Sequence, residues 1–197
     1  MPAPSLHVVV TSTRPGRKGP AVAAWVLDQV RAHGHFTPRL VDLAEVALPA
    51  YDEPHHPRLK KYEHAHTRAW SETVLAADAL VLVTPEYNFA MPPALLNALD
   101  YLSHEWAYLP VGFVSYGGVS AGTRSVQMTK AVVTSLKMMP VPEAVAVPFF
   151  SQHLDAEGRF DPGEVQAKAA AGMLDELGRW TGALAALRAG QRAVQPG

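Results

Sequence analysis

The chain has 197 residues, a formal net charge of −1 from 17 basic and 18 acidic residues, and no cysteine. Its length suits one domain with a substantial core, and its near-zero charge argues against nucleic acid or an anionic membrane as a partner. Without cysteine there can be no disulfide, thiolate nucleophile, Cys-ligated zinc or iron–sulfur cluster; this composition fits the cytoplasm, and no run approaches the roughly 20 apolar residues of a membrane span.

Leu6–Val10 follows Met1-Pro2-Ala3 almost at once, with no basic stretch ahead of it, so it reads as a first strand and not as a signal peptide. A turn rich in Pro, Gly and Arg leads to a helix from about Pro20 to His33, with Val22, Trp25, Val26 and Val30 on its apolar face. Thr37–Leu43 is a second strand, and a Pro- and His-rich loop, Pro49 to Pro57, follows it. The next helix is predicted near Lys60–Ala77, carrying Tyr62, Ala65, Ala69, Trp70 and Val74. Ala79–Thr84 is too short for a helix and β-branched enough for a buried parallel strand. It stops at Thr84-Pro85, makes a polar and aromatic turn, and enters a helix over Pro92–Leu102 whose first turn tolerates Pro92-Pro93. Leu109–Ser115 is a fourth strand, Ala121–Lys137 a fourth helix, and Val141–Phe150 contains a fifth strand. A long last helix opens at Asp161-Pro162-Gly163-Glu164 in the manner of a capping box, with Met173, Leu177, Trp180, Leu184 and Leu187 on its buried face. The tail Gln191–Gly197 reads as flexible beyond a single domain over residues 1–190.

Five β–α units in series predict an α/β three-layer sandwich with a five-stranded parallel sheet in the flavodoxin-like order 2-1-3-4-5. In that order the ligand crevice opens at the carboxyl ends of strands 1 and 3, beside the loops after strands 1, 3 and 4. These three loops have the unusual compositions. Thr11-Ser12-Thr13-Arg14-Pro15-Gly16-Arg17-Lys18-Gly19-Pro20 combines hydroxyls, guanidinium groups and a helix N-terminus, an anion site best suited to phosphate. It is neither a Walker A loop nor a Gly-x-Gly-x-x-Gly turn. Ser115-Tyr116-Gly117-Gly118-Val119-Ser120-Ala121-Gly122-Thr123-Arg124 lets backbone approach a flat ligand and offer N–H donors to its edge. Pro85-Glu86-Tyr87-Asn88 completes a three-sided pocket.

Thr-Ser-Thr-Arg near the N-terminus, Pro-Glu-Tyr-Asn before a Pro-Pro-x-Leu-x-Asn-Ala-Leu-Asp helix, and Ser-Tyr-Gly-Gly resemble the NADPH-dependent FMN reductases, a group that includes quinone, azo-dye and chromate reductases. The likeness runs from about Leu6 to Phe150. It implies an FMN-binding oxidoreductase fed by NADPH or NADH, with ping-pong transfer to a quinone, azo compound or similar small acceptor. It implies that Ser12, Thr13, Arg14 and the turn Lys18, Gly19, Pro20, Ala21 hold the FMN phosphate. Pro85, Glu86, Tyr87 and Asn88 would line the isoalloxazine, and Ser115, Tyr116, Gly117 and Gly118 would meet its pyrimidine end. No side chain is expected to be catalytic and no metal is expected, since flavin N5 carries the chemistry. Where the family carries Ser-x-Arg-x-x-Ser, this chain has Pro15-Gly16-Arg17-Lys18-Gly19, and Arg17 or Lys18 either replaces the missing hydroxyl or steers anions.

Three other readings compete. A flavodoxin-type electron carrier would not oxidise NAD(P)H and is usually strongly acidic, unlike this chain. A flavin-free regulatory or scaffold protein would stay colourless. A metal protein could use His55-His56 and His64-x-His66, but i, i+2 side chains on a helix diverge and no carboxylate motif completes a site. His104–Leu109 brings Trp106 and Tyr108 just past the third helix, either to cap the core or to wall the pocket from a partner subunit, which together with the family's habit suggests a homodimer or homotetramer.

Overall fold

The computed structural model describes residues 2–193. Strands β1 (Ser5–Val10), β2 (Thr37–Asp42), β3 (Ala79–Pro85), β4 (Pro110–Tyr116) and β5 (Met139–Val147) form one parallel sheet in the order β2-β1-β3-β4-β5, as the β–α alternation predicts. The connections carry helices α1 (Gly19–His33), α2 (Leu43–Val46), α3 (Ala65–Leu75), α4 (Pro93–Asp100) and α5 (Thr123–Ser135), and α6 (Glu164–Ala193) closes the described chain.

The period-two alternation of each strand sorts the core into two layers. Val8, Val10, Val81, Val83 and Val114 pack with Val22, Val26 and Val30 of α1 and with Met173 and Leu177 of α6. Val9, Leu80, Leu82, Val111 and Phe113 face Trp70 and Val74 of α3, Leu95 and Leu99 of α4, and Val126 and Val133 of α5. Every residue of β3 and β4 is buried, as expected of strands covered on both faces. α6 approaches β4 closely at Gly112, where a Cβ would stand 2.8 Å from Met173 Sδ. At the carboxyl edge the register sets Val10 beside Val83 and Pro85 beside Tyr116, which brings the ends of β1, β3 and β4 together.

Several elements depart from the sequence reading. α3 begins at Ala65, five residues after the predicted start, because Tyr62 is drawn out of line to donate its hydroxyl to the buried Glu105 carboxylate at 3.0 Å. His64 is therefore extended backbone ahead of the helix, and its ring stacks on His66 with centroids 5.1 Å apart instead of diverging from it. Helix α6 starts at Glu164, and Asp161 accepts from Gly163 N at 3.0 Å in a local turn instead of a capping box. On that helix Leu187 is 50% exposed, while its neighbour Arg188 is 3% exposed. α6 runs through Ala193 into the segment read as tail; residues 194–197 lie outside the described residues. Because α4 carries the chain from the carboxyl edge of β3 to the amino end of β4, residues 104–109 sit at the edge opposite the crevice. Trp106 is buried there and donates to Leu99 O at 3.0 Å, so it caps the core and cannot wall the pocket. Among the described residues no helix is long and apolar enough to cross a membrane.

His7 makes the core sensitive to acid. It is 2% exposed, its Nε2 has no hydrogen-bond partner, and with Val41, Trp70 and Leu80 it lines an apolar void of about 10 Å3. Burial, and then the charge of Arg39, push its pKa down to about 4. The unfolded imidazole takes up its proton near pH 6.5, so stability falls as the pH drops from there to about 4 and no further below it. We expect this single group to remove about 3 kcal/mol over that window. In urea titrations across the window, His7→Leu should lose that slope relative to wild type. An unchanged slope would show that His7 is not the group responsible.

Candidate active site

The loop after β1 is built around three anchors. Thr11 donates through both its N–H (3.1 Å) and its hydroxyl (3.0 Å) to Val83 O, fastening the loop root to β3. Ser12 is fully buried beneath the loop, its Oγ 3.4 Å from the Tyr116 hydroxyl. Gly19, the first residue of α1, packs so closely over it that a Cβ would stand 2.5 Å from Ser12 Oγ. Thr13, Arg14, Lys18 and Pro20 are exposed above this floor, and Ala21 N returns to Lys18 O at 3.1 Å. Among the described residues, the amide N–H groups of Ser12, Thr13 and Arg14 have no hydrogen-bond partner. Three successive amides without a partner beside an exposed guanidinium offer donors suited to an anion.

Arg17 does not share that surface. Its Nη1 donates to Ser12 O at 3.0 Å and pairs with Asp42 Oδ1 at 2.7 Å, and the hydrogen bond to Asp42 raises its pKa above the ordinary arginine value.

The loop after β3 is a tight turn, with Tyr87 and Ala90 exchanging both backbone hydrogen bonds at 3.0 and 2.9 Å. Asn88 and Phe89 at its tip have φ of 50° and 67°, a left-handed pair without glycine that needs outside support. Arg124 supplies that support from the start of α5. Its guanidinium carbon lies 3.8 Å over the Phe89 ring, and its Nε and Nη2 grip the Glu86 carboxylate. Glu86 also accepts from Arg124 N at 3.1 Å. Burial alone would raise the Glu86 pKa, but the Arg124 hydrogen bonds and charge outweigh it and hold the carboxyl below its ordinary range. Glu86 is thus an ionised clamp between two loops and not a proton donor at neutral pH.

The loop after β4 uses its glycines for its own packing. A Cβ on Gly122 (φ 78°) would stand 2.9 Å from Tyr116 O, and one on Gly117 would stand 3.1 Å from Gly122 N, whereas Gly118 faces open space. Gly117 N is spent on Val147 O at 3.2 Å, while among the described residues no partner is found for the N–H groups of Gly118, Val119 and Ser120. Tyr116 lies under the loop and is 4% exposed, its ring edge-on to Phe150 at 5.2 Å, and burial pushes its pKa up to about 12. Pro85 and Ser115 are likewise buried, so of the residues read as ring-facing only Glu86, Tyr87, Asn88, Gly117 and Gly118 reach the surface in some measure. Phe89, Val119 and Phe149, which are 67%, 80% and 49% exposed, add an apolar rim that the motifs did not mark. Arg124 stood inside the glycine-rich stretch, yet nothing in the spacing linked it to a carboxylate 38 residues earlier.

His55, His64 and His66 serve the loop before α3, where His64 and His66 share Asp52. His66 meets the Asp52 carboxylate at 3.0 Å, His64 meets Asp52 O at 3.2 Å and His55 meets Glu63 at 3.2 Å, closing the loop before α3. Among the described residues no group of three or more His, Asp or Glu side chains is placed to hold a metal ion.

Residues 4–152 match the family model described as NADPH-dependent FMN reductase. An NAD(P)H-dependent FMN reductase of Schizosaccharomyces pombe is 38% identical over 146 residues, covering 73% of this chain and 72% of that protein. A Saccharomyces cerevisiae protein described in the same words is 33% identical over 171 residues, covering 74% and 88%. An NADPH azoreductase of a Bacillus species is 32% identical over 146 residues, covering 72% and 76%. In three dimensions the flavoenzyme NAD(P)H:(acceptor) oxidoreductase FerB of Paracoccus denitrificans superposes with a TM-score of 0.72 at 19% identity, over 91% of this chain and 98% of that one.

Proposed function

The chain belongs to the NADPH-dependent FMN reductase family, and from that premise we propose that it binds FMN at the carboxyl edge of β1, β3 and β4 and uses NADPH or NADH to reduce a small quinone, azo compound or similar acceptor. The observation that carries the reading is the row of free amides at Ser12, Thr13 and Arg14 beside an exposed guanidinium, facing two further loops across the switch point of the sheet. That donor set fits a phosphate monoester. Thr13 and Arg14, with Lys18 and the α1 start at Gly19, Pro20 and Ala21, hold the phosphate, and Ser12 beneath them sets their height. Glu86, Tyr87 and Asn88 line one side of the ring. Gly117 and Gly118 line the other, with the N–H groups of Gly118, Val119 and Ser120 donating to its edge; Pro85, Ser115 and Tyr116 form the floor. Bound FMN supplies hydride acceptance and return at N5, so the protein contributes orientation and charge, and no side chain needs to act as a nucleophile.

Phe89, Val119 and Phe149 give the opening an apolar rim suited to planar aromatic acceptors, and such exposed apolar surface also suits assembly into a homodimer or homotetramer. Donor and acceptor then use one opening in turn, which predicts ping-pong kinetics. The same reading takes residues 1–190 as one domain and places the protein in the cytoplasm.

The test is an absorbance spectrum of the purified protein, followed by FMN titration and anaerobic NADPH and NADH titrations with menadione as acceptor. Flavin bands and rapid NAD(P)H oxidation are expected. Flavin bands without oxidation would favour an electron carrier, and no flavin uptake a scaffold. Arg14→Ala should weaken FMN by about tenfold to a hundredfold, the worth of a charge-assisted hydrogen bond. Unchanged FMN affinity in that variant would overturn the phosphate assignment.

A further inference from the structure

We propose that Asp42 and Arg17 form a positioning pair that shapes the phosphate loop from behind without touching the ligand. The inference rests on the FMN reading above. Arg17 stands where the family pattern carries a second phosphate serine, so the simplest role for it would be that of a substitute ligand. The geometry points elsewhere. One nitrogen, Nη1, is shared between Ser12 O at 3.0 Å and Asp42 Oδ1 at 2.7 Å. Both side chains are largely withdrawn, at 19% and 7% exposure. The same Asp42 Oδ1 accepts from Ala44 N at 3.0 Å and so caps α2. A single carboxylate oxygen thereby joins the end of β2, the start of α2 and, through Arg17, the backbone of Ser12.

Ser12 O belongs to the peptide unit whose N–H is that of Thr13. Holding that carbonyl toward Arg17 turns the Thr13 N–H the opposite way, since the two are trans across one planar unit. The pair therefore fixes the direction of the Thr13 amide, the middle one of the three without a partner. The rest of the loop offers little restraint: it carries Gly16 at φ 72°, and Arg17 N to Arg14 O at 3.1 Å is its one internal backbone bond among the described residues. Arg14 and Lys18 then serve as the cations of the exposed surface, and Arg17 as the strut below it.

The two roles of Arg17 make opposite predictions for Asp42. If Arg17 is a strut, Asp42→Asn keeps the α2 cap but weakens the strut, and FMN binding falls. If Arg17 is itself a phosphate ligand, Asp42→Asn frees its guanidinium, and FMN binding holds or tightens. The experiment is fluorescence titration of the full-length apoprotein with FMN and with riboflavin, which has the ring and no phosphate. Asp42→Asn and Arg17→Met are each expected to weaken FMN by about tenfold and to leave riboflavin within twofold. The double variant should be no worse than the weaker single, because both remove one strut. Equal weakening of FMN and riboflavin would reduce the pair to general scaffolding, and undiminished FMN affinity in Asp42→Asn would make Arg17 a ligand; either result overturns the proposal. A wild-type protein that takes up no flavin would sink the FMN reading itself, which separates the two failures.

Discussion

Replacing Arg188 with leucine is expected to cost about 3–5 kcal/mol of folding stability, a large part of what holds most domains together. Arg188 is 3% exposed, yet among the described residues no carboxylate pairs with it directly. Its guanidinium instead serves carbonyl oxygens: Nη2 donates to Val74 O at 2.8 Å and Ala77 O at 3.3 Å, Nε also reaches Ala77 O, and Nη1 reaches Glu105 O and Ala107 O. Val74 and the residues just beyond it form the carboxyl end of α3, where the helix dipole is negative and carbonyls have room for further donors. One turn along α6, Arg192 completes the plug, with Nε to Leu75 O and Nη2 to Ala77 O, both at 2.7 Å, and a pair to Asp78 at 2.8 Å. Burial, then the neighbouring charge of Arg192, lower the Arg188 pKa to about 10, which still leaves it protonated at neutral pH.

Leucine at this position would strand Glu105 O and Ala107 O in a dry environment and return nothing polar to them, while Val74 O would keep Ala77 N–H and Ala77 O would keep Arg192. Arg188→Lys offers one nitrogen where three are used and should recover only part of the loss. Arg192→Leu, at a 36% exposed side chain, should cost about 1–2 kcal/mol. Urea unfolding of the three variants gives the order directly. A leucine variant within 1 kcal/mol of wild type would mean that the carbonyls find water or rearrange, and that the plug is not essential.

Arg188 also marks the boundary of what the sequence could tell. The inner strands β1, β3 and β4 appear as nearly unbroken apolar runs, and the edge strands β2 and β5, half-exposed and interrupted by Pro, Arg and Glu, followed from the β–α alternation, so the sheet order was legible and the three odd loops could be placed at one edge by topology alone. Helix-face reasoning, however, extends an apolar stripe without knowing what lies opposite. It put Leu187 inside and passed over Arg188, because the carbonyls that draw Arg188 inward come from residues 114 and 83 positions away. The Arg17–Asp42 pair and the Glu86–Arg124 clamp were hidden for the same reason: each unites residues whose separation carries no period. Tyr62 shows the converse error, a side chain that fitted the helical pattern but left the helix for a buried carboxylate. The misplacement of residues 104–109 beside the crevice was one of length. α4 has eight residues, about 12 Å of rise, enough to carry the chain toward the far edge of the sheet.

Gly19→Ala should do to the candidate site what Arg188→Leu does to the fold. The added methyl would stand 2.5 Å from Ser12 Oγ, 2.8 Å from Val10 Cγ1 and 3.0 Å from the Tyr116 hydroxyl. Val10 is fixed in β1 and fully buried, so it cannot yield, and Ser12 has no exposed side to turn toward. The start of α1 must therefore lift off the sheet, at about 1–3 kcal/mol for an overpacked contact. The lift acts at the junction of the free amides with the first turn of α1, so FMN affinity should fall by at least about tenfold, and riboflavin affinity much less. Gly16→Ala is the control. It sits in the same loop at φ 72°, but a Cβ there meets nothing within 4 Å, so it carries backbone strain of about 1 kcal/mol and no clash. Removing Ser12 Oγ takes away the shortest of the three contacts, so Ser12→Ala should be less harmful beside Gly19→Ala than in the wild-type background, a non-additivity readable by denaturation. If Gly19→Ala instead binds FMN as wild type does and unfolds no earlier, the close crossing of α1 over Ser12 is not what shapes the phosphate loop.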